Sequence, residues 1–400
     1  MPDTLDETYE RLLRGINKAR ADDAYRLLQC LTVAVRPLSV EELVELLAFD
    51  FQSSSSEGIP TLKEDWRWND QEEAVLSTCS SLISIVSSDT SRVVQFSHFS
   101  VKEYLTSARL ARSPHRDVSQ FHIDLESAHT IMAQVCLGTL LRSDEHAGDK
   151  HVKWSPLLGY AARHWFGHAQ FEKVSSHLRD GMDDLFDSSK PHFAAWIQVY
   201  DMDEDWQSFS MDKEHGSPLY YAALGGFYDL AERLITKHPD QVNARGGRIL
   251  APLSAALYKR HFRLANLLHK HGANLDCRGW LERTPIHSAS IDGSVDIMQW
   301  LLNHGADANA RSRGGLTPLS WAAFYTRIEC AQVLLDHNAN VNLQNDGGRA
   351  PFHQAIWGQG EHKLDTVQRL LDHGADLNIC NKSHSTPLHE ASDYGFLEVA

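Results

Sequence analysis

A short motif centred on a single proline recurs six times in the second half of the chain. In each copy the proline precedes Leu, Ile or Phe, and one or two small residues follow. The copies lie 34, 33, 33, 33 and 36 residues apart, with prolines at Pro218, Pro252, Pro285, Pro318, Pro351 and Pro387. A period of this length is typical of stacked repeats, which bury a continuous core between neighbouring units. The spacing therefore predicts a repeat architecture for nearly half of the chain.

Each copy contains the same succession of parts. The proline suits the first turn of a helix, where its missing N–H is not needed. The small residues let that helix pack closely against a second helix, marked by pairs such as Leu301-Leu302. The second helix ends at a residue such as Gly305 or Asn338, where a helix cap requires a positive φ. Each copy is therefore predicted to be a helical hairpin.

Two of the copies carry a more specific motif. Thr284-Pro285-Ile286-His287, followed by Gly305-Ala306-Asp307-Ala308-Asn309, resembles the ankyrin consensus, as does Thr386-Pro387-Leu388-His389. The resemblance covers residues 213–400. It implies an ankyrin-repeat solenoid of about six repeats, the last of them truncated inside its second helix.

The ankyrin resemblance also implies where a partner would bind. In such arrays the hairpin tips and the exposed side of each first helix form a concave groove that binds proteins. Aromatic residues interleaved with arginine are enriched at interface hot spots. The protein-binding residues predicted at these positions are Tyr258, Lys259, Trp280, Arg283, Arg313, Phe324, Tyr325, Arg349, Trp357 and Tyr394. The alternative is that several of these side chains are partly buried or merely exposed.

Three arginines suggest the chemistry of the partner. We expect Arg283, Arg313 and Arg349 to occupy one position of successive repeats and to form a basic ladder. Such a ladder favours a partner surface that is acidic or mixed with apolar anchors. Trp300 and Trp321 fall at predicted core positions instead.

The first 110 residues have a different pattern. Capping boxes at Thr4–Glu7, Ser39–Glu42 and Ser100–Glu103 each open a stretch with apolar residues at helical spacing. Two β-branched runs, Leu82–Val86 and Val93–Phe96, flank a polar turn and predict a hairpin. Helices, a hairpin and a closing helix in this order predict a winged-helix domain over residues 1–110.

Three segments of this half resemble one family. Met1–Arg11, Arg36–Leu43 and Phe96–Leu105 are similar to the region that follows the nucleotide-binding domain of fungal NACHT-type signalling ATPases. These are relatives of NOD-like receptors, and they commonly end in ankyrin arrays. A winged-helix histidine contacts bound ADP in that family, and His98 matches its position.

The chain departs from that family in one respect. It contains no G-x-x-x-x-G-K-[S/T] loop to hold phosphates and no apolar strand ending in paired acids to hold magnesium. The nucleotide-binding core is therefore missing from this sequence. The resemblance implies a nucleotide contact by His98 only where such a domain is attached, and no cofactor for the chain alone.

Residues 111–212 are predicted to form a helical linker domain. Apolar residues recur there at helical spacing, and a small bundle gains buried area from Trp154, Trp165, Trp196 and Trp206. The whole chain is therefore predicted to be mainly α, with a winged-helix domain and a helical bundle followed by the ankyrin repeats of residues 213–400.

Charge is divided unevenly between the two halves. Residues 1–214 hold 21 Lys and Arg against 35 Asp and Glu, whereas residues 215–400 hold 17 against 18. An acidic first half repels phosphate backbones, which argues against nucleic acid as the main partner. A winged-helix regulator that binds DNA and uses ankyrin repeats for its other partners remains the alternative.

No set of residues predicts catalysis or a metal site. His164 and His168 lie four residues apart, but no third ligand is identifiable. His115-Arg116-Asp117 resembles a kinase catalytic loop but lacks its asparagine. No apolar run approaches membrane-spanning length, and the six scattered cysteines predict reduced core thiols. We therefore expect a non-enzymatic cytoplasmic protein that binds a protein ligand, without a metal, a membrane or a nucleic acid.

Overall fold

A computed structural model describes residues 3–51, 59–63, 75, 77–79, 81–87, 91–142, 155–203, 215–358, 362–393 and 395. The chain divides into two compact units, Met1–Ser210 and Met211–Ala400.

The first unit begins with three helices: α1 at Asp3–Arg14, α2 at Ala21–Val33 and α3 at Val40–Leu47. The capping box predicted at Ser39 is confirmed, because its hydroxyl accepts from Glu42 N and the Glu42 carboxylate accepts from Ser39 N. The side chain of Thr4, where another box was predicted, lies outside the described residues. Helix α3 buries Leu43 and Leu46 completely, as its apolar spacing requires.

Five short strands accompany these helices in the described residues: β1 at Leu38–Ser39, β2 at Phe49–Asp50, β3 at Thr61–Leu62, β4 at Ile83–Ser87 and β5 at Arg92–Phe96. The antiparallel hairpin of β4 and β5 pairs Ile83 with Phe96 and Ser87 with Arg92, so the predicted hairpin is confirmed. Strand β1 joins the other edge of β5, while β2 and β3 form a separate pair. Helices with a three-stranded sheet of this kind form the predicted winged helix.

The helix after the hairpin, α4, spans Phe99–Leu105. Its N-cap is His98, whose side chain accepts a hydrogen bond from Ser100 N. The sequence predicted Ser100 as the cap, and that prediction is wrong. The Ser100 hydroxyl instead contacts the Tyr9 hydroxyl at 2.7 Å inside the core.

The described residues of the first unit that follow α4 are mainly helical, as predicted. Trp165 and Trp196 are fully buried with ring centroids 5.3 Å apart, and Trp196 Nε1 donates to the carbonyl of Ala162 at 2.9 Å. Trp154 and Trp206 lie outside the described residues. The helices of this part are Ala108–Ala111, Arg116–Ser119, Leu125–Arg142, Leu158–Ala169, Arg179–Leu185 and His192–Val199.

The second unit consists of the predicted helical hairpins, numbered here as repeats 1 to 6. Their first helices are Pro218–Gly225, Pro252–Tyr258, Pro285–Asp292, Pro318–Phe324, Pro351–Trp357 and Pro387–Asp393. The second helices of repeats 1 to 5 are Tyr228–Lys237, Phe262–Lys270, Val295–Asn303, Ile328–Asp336 and Lys363–Asp372. The turns that follow have positive φ at Gly272, Gly305, Asn338 and Gly374, as the caps required.

The threonine and histidine of the ankyrin-like motif connect neighbouring repeats. His287 Nδ1 lies 2.8 Å from the Thr284 hydroxyl, and His287 Nε2 lies 3.1 Å from the carbonyl oxygens of Ala310 and Leu316. The imidazole therefore closes the first turn of its own helix and bonds to the backbone that leads into repeat 4. Burial lowers the pKa of His287 to about 4. The hydrogen bonds to the two carbonyl oxygens raise this pKa, but burial has the larger effect.

The six cysteines are free thiols. Four are buried, but Cys277 is half-buried and Cys380 is exposed. The prediction that all six are core residues is therefore wrong for these last two.

Candidate functional site

The predicted binding residues occupy four positions relative to the marker prolines. Trp280 and Arg313 lie five residues before their prolines, on the hairpin tips, and Arg283 and Arg349 lie two residues before theirs. The remaining described residues end a first helix or follow it: Tyr258, Lys259, Phe324, Tyr325 and Trp357. Tyr394 lies outside the described residues.

The predicted basic ladder is wrong, because its three arginines do not share one position. Arg283 and Arg349 are equivalent, but the residue equivalent to them in repeat 4 is Leu316. Arg313 belongs to the tip, where its backbone N–H donates to the carbonyl of Leu281 at 2.8 Å.

The structure brings four predicted residues together in repeats 3 and 4. The guanidinium of Arg283 lies 5.4 Å from the ring centroid of Trp280 and 4.3 Å from that of Trp321. Trp321 stacks on Tyr325 at 6.0 Å, and Tyr325 meets Phe324 edge-on at 5.1 Å. These five side chains form a continuous series, which we call the arginine–aromatic row. Trp321 was predicted to be a core residue but is half-buried within this row.

Trp280 is the most exposed member of the row, with 77% of its surface accessible. It stands on a hairpin tip in which Leu281 and Glu282 have φ of 57° and 55°. The two equivalent residues of repeat 4 are Gly314 and Gly315, which tolerate this conformation. Left-handed backbone at non-glycine residues costs free energy and is concentrated at functional sites.

Arg349 and Trp357, by contrast, are engaged within the array. Arg349 Nε donates to Glu390 Oε1 at 3.0 Å, and Trp357 Nε1 donates to Glu390 Oε2 at 2.8 Å. Asn381 Nδ2 also donates to this buried carboxylate, at 2.7 Å. Burial raises the pKa of Glu390, but these hydrogen bonds outweigh it and hold the pKa below its usual value. The two predicted contact residues therefore help to join repeats 5 and 6.

Tyr258 and Lys259 form a smaller group at the end of the first helix of repeat 2. Tyr258 is 45% exposed, and its hydroxyl accepts a hydrogen bond from Arg248 at 3.3 Å. The Lys259 ammonium lies 5.6 Å from the centre of the same ring. Arg248 was not predicted from the sequence.

A ladder of arginines does exist, at a position that the sequence reasoning missed. Arg278 donates to the carbonyl of Arg311 at 2.7 Å, and Arg311 donates to that of Gln344 at 3.1 Å. Arg245 donates in the same way to Arg278, and Gln344 to Cys380. The 33-residue spacing of the three arginines is visible in the sequence and could have revealed them.

His98 in the first unit is exposed and lies beside Phe99, which is 72% exposed. Because its Nδ1 accepts from Ser100 N at 3.2 Å, the proton of a neutral imidazole belongs on Nε2. That tautomer gives His98 a hydrogen-bond donor for an external acceptor.

His168, which lies four residues after His164, pairs instead with His129. His168 is fully buried, with Nδ1 2.8 Å from His129 Nδ1 and Nε2 3.0 Å from the Tyr160 hydroxyl. Burial, and then repulsion from His129, lowers the pKa of His168 to about 3. Among the described residues, no group of three or more His, Cys, Asp or Glu side chains is arranged to hold a metal.

Comparisons with known families identify two kinds of module. Residues 253–345 and 360–400 match ankyrin repeats, and residues 9–117 match the family described as the winged helix domain of GPI inositol-deacylase. The predicted mainly α fold, with a winged helix followed by an ankyrin solenoid, is confirmed. Ankyrin repeats are typical of protein-binding modules. Within the described residues, no helix is both long enough and sufficiently apolar to cross a bilayer.

The chain is also similar to individual proteins. It is 30% identical over 290 residues to the azaphilone pigments biosynthesis cluster protein L of Monascus ruber, covering 67% of this chain and 59% of that protein. The chain thus spans about three fifths of the length of this curated relative. A crystallised ankyrin repeat protein is 24% identical with a TM-score of 0.41, over 45% of this chain and 93% of its own. An ankyrin repeat domain from Acinetobacter baumannii is 28% identical with a TM-score of 0.40, over 46% and 93%.

Proposed function

We propose that this chain is a non-enzymatic interaction module whose ankyrin repeats bind a protein ligand in the cytoplasm. The winged-helix domain would span residues 1–110, a helical linker domain residues 111–212 and the repeats residues 213–400. The observation that carries the proposal is the arginine–aromatic row, in which Trp280 is exposed and the other four side chains are half-buried. Tryptophan and arginine are the residues most enriched at interface hot spots.

Two features support the row as the contact surface. A tryptophan that is 77% exposed leaves a large apolar area in water, and a partner would remove that cost by covering it. Its tip also holds two consecutive non-glycine residues at positive φ, a strained backbone of the kind concentrated at functional sites.

The test uses the full chain as bait in cells of its source, with Trp280→Ala as the variant. We expect wild-type protein to enrich a defined set of proteins that the variant loses. Gln299→Ala is the matched control, because Gln299 is exposed on the second helix of the same repeat. A protein set that is unchanged by Trp280→Ala would reject the row as the binding surface.

We further propose that the chain acts within a signalling receptor of the NACHT type, or as a relative of one without its nucleotide-binding domain. In such a receptor His98 would donate from Nε2 to a phosphate oxygen of a bound nucleotide, because its Nδ1 is already occupied by Ser100. The chain alone should not bind ATP or ADP. Micromolar binding of either nucleotide to residues 1–400 in calorimetry would contradict this proposal.

A further inference from the structure

Two equivalent arginines of the array differ in whether a carboxylate lies beside them. Arg349 precedes the first helix of repeat 5 and donates to Glu390, which lies three residues after Pro387 in repeat 6. Arg283 occupies the same position in repeat 3. The residue three positions after Pro318 in repeat 4 is Trp321, so a tryptophan ring stands where a carboxylate would be.

Arg283 consequently has no acidic partner within the part of the chain that the structure describes. Its Nε is buried and forms no hydrogen bond there, although the arginine is held between the rings of Trp280 and Trp321. Because Nε is buried, an external acceptor would bind the terminal nitrogens of this half-buried side chain, which also form no hydrogen bond in the described residues. The neighbouring carboxylate of Glu282 lies 3.9 Å from Arg278 instead.

A second arginine adds to this positive site. Arg313 stands on the adjoining tip, which its backbone N–H joins to Leu281 at 2.8 Å. Its side chain is exposed, and among the described residues its guanidinium forms no ion pair or hydrogen bond. The tip of repeat 4 thus presents one guanidinium group, and Arg283 supplies a second that lies 5.4 Å from the exposed indole of Trp280.

We infer that the row binds a carboxylate side chain in an acidic segment of the partner protein, next to an apolar residue that covers Trp280. This inference rests on the proposed function. Glu390 shows within the same array how a carboxylate is held there, accepting from the Nε of an equivalent arginine and from an indole N–H. A charge-assisted hydrogen bond of this kind is stronger than a neutral one.

Charge favours a protein carboxylate over a nucleic acid. A flat arginine and exposed indoles can also stack on unpaired bases. However, the repeats are nearly neutral overall, and residues 1–214 carry 35 acidic against 21 basic residues. A polyanion gains little net attraction from a chain of this charge, whereas a short acidic segment needs only the local positive site.

In the experiment, a display library of random peptides is selected for binding to the full chain. We expect the selected peptides to contain Asp or Glu beside an aromatic or aliphatic residue. Arg283→Gln in the chain, or Asp→Asn and Glu→Gln in the peptide, should each weaken binding at least about tenfold, as expected for loss of a charged hydrogen bond. Arg263→Gln is the matched control, since Arg263 is exposed and lies 5.3 Å from the Tyr228 ring on the opposite helix layer.

The outcomes separate the inference from the proposed function. Peptides that require Trp280 but lack acidic residues, or that bind Arg283→Gln unchanged, would overturn the inference and leave the proposed function standing. No selected peptides, or peptides insensitive to Trp280→Ala, would count against both. Binding of single-stranded oligothymidine at physiological salt, lost in Arg283→Gln, would overturn the inference in favour of nucleic acid. Thermal unfolding of each variant verifies that the repeats remain folded.

Discussion

The indole N–H of Trp357 donates to the buried carboxylate of Glu390 at 2.8 Å, linking the first helices of repeats 5 and 6. Arg349 and Asn381 donate to the other oxygen of the same carboxylate. Glu390 is only 4% exposed, so each of these donors compensates for the water that the carboxylate has lost. Trp357 therefore acts in the stacking of repeats, although the sequence suggested a contact with a ligand.

We expect Arg349→Ala to destabilise repeat 6, because it leaves the buried Glu390 carboxylate with fewer donors. The cost should be about 1–3 kcal/mol. Hydrogen exchange in the helix Pro387–Asp393 should accelerate in this variant and remain unchanged in Trp280→Ala. The double variant Arg349→Ala with Glu390→Ala should cost less than the sum of the two single variants. Strict additivity would show that the pair does not interact.

Acid should destabilise the repeats through His287. The native imidazole has a pKa of about 4, against an ordinary value of 6.5, so the unfolded chain binds its proton first as the pH falls. Stability should therefore decrease between about pH 6.5 and pH 4, by up to about 1.4 kcal/mol per pH unit from this residue. Urea unfolding followed across this range measures the slope. His287→Gln should be less stable at pH 7 and have a shallower slope, and an equal slope would contradict the assignment.

The repeat architecture could be predicted because its signals are local and periodic. A proline at the first turn, a leucine pair and a positive-φ turn recur at one spacing. The signals of one repeat therefore support the helices predicted in the next. The N-cap of α4 could not be predicted in this way. His98 and Ser100 both have acceptors near the helix start, and the choice between them depends on Tyr9, which is 91 residues from Ser100 in sequence.

The candidate site was predicted less completely than the fold, and register explains one of the two errors. Arg313 was grouped with Arg283 and Arg349 although it lies three residues earlier in its repeat. Trp321 was assigned to the core, and the equivalent residues Tyr221 and Ala255 are fully buried, so only its contacts with Arg283 and Tyr325 distinguish it. Counting every residue from its marker proline corrects the position of Arg313 but not the assignment of Trp321.

The strained tip of repeat 3 should be relieved by glycine. Leu281→Gly places a residue that tolerates positive φ where the backbone has φ of 57°. We expect a gain of about 0.5–1 kcal/mol, since relief of strain exceeds the added freedom of the unfolded chain. Gly314→Ala is the reverse control, because its φ is 80° and no atom lies within 4 Å of the added Cβ. Thermal unfolding should move in opposite directions for these two variants. A loss of stability in Leu281→Gly would show that the tip is not strained.

The arginine ladder should couple successive hairpin tips. Arg278→Ala removes the hydrogen bond to the carbonyl of Arg311, at a cost of about 0.5–1.5 kcal/mol. Hydrogen exchange should accelerate at the tips on both sides of the lost bond. Arg313→Ala removes the same charge from a neighbouring tip without removing a described side-chain hydrogen bond, so it should leave exchange unchanged. Equal effects of the two substitutions would point to net charge rather than to the ladder.

Two substitutions can separate the role of His98 as a helix cap from its proposed role as a ligand contact. Asparagine is a favoured N-cap residue, so His98→Asn should retain the bond to Ser100 N while removing the Nε2 donor. His98→Ala loses both groups and should destabilise α4 by about 0.5–2 kcal/mol. The measurement is hydrogen exchange at the Ser100 amide together with thermal unfolding of the first unit. We expect near wild-type values for His98→Asn and faster exchange for His98→Ala. If both variants lose the same stability, the imidazole contributes more than its Nδ1, and His98 has a structural role beyond the cap.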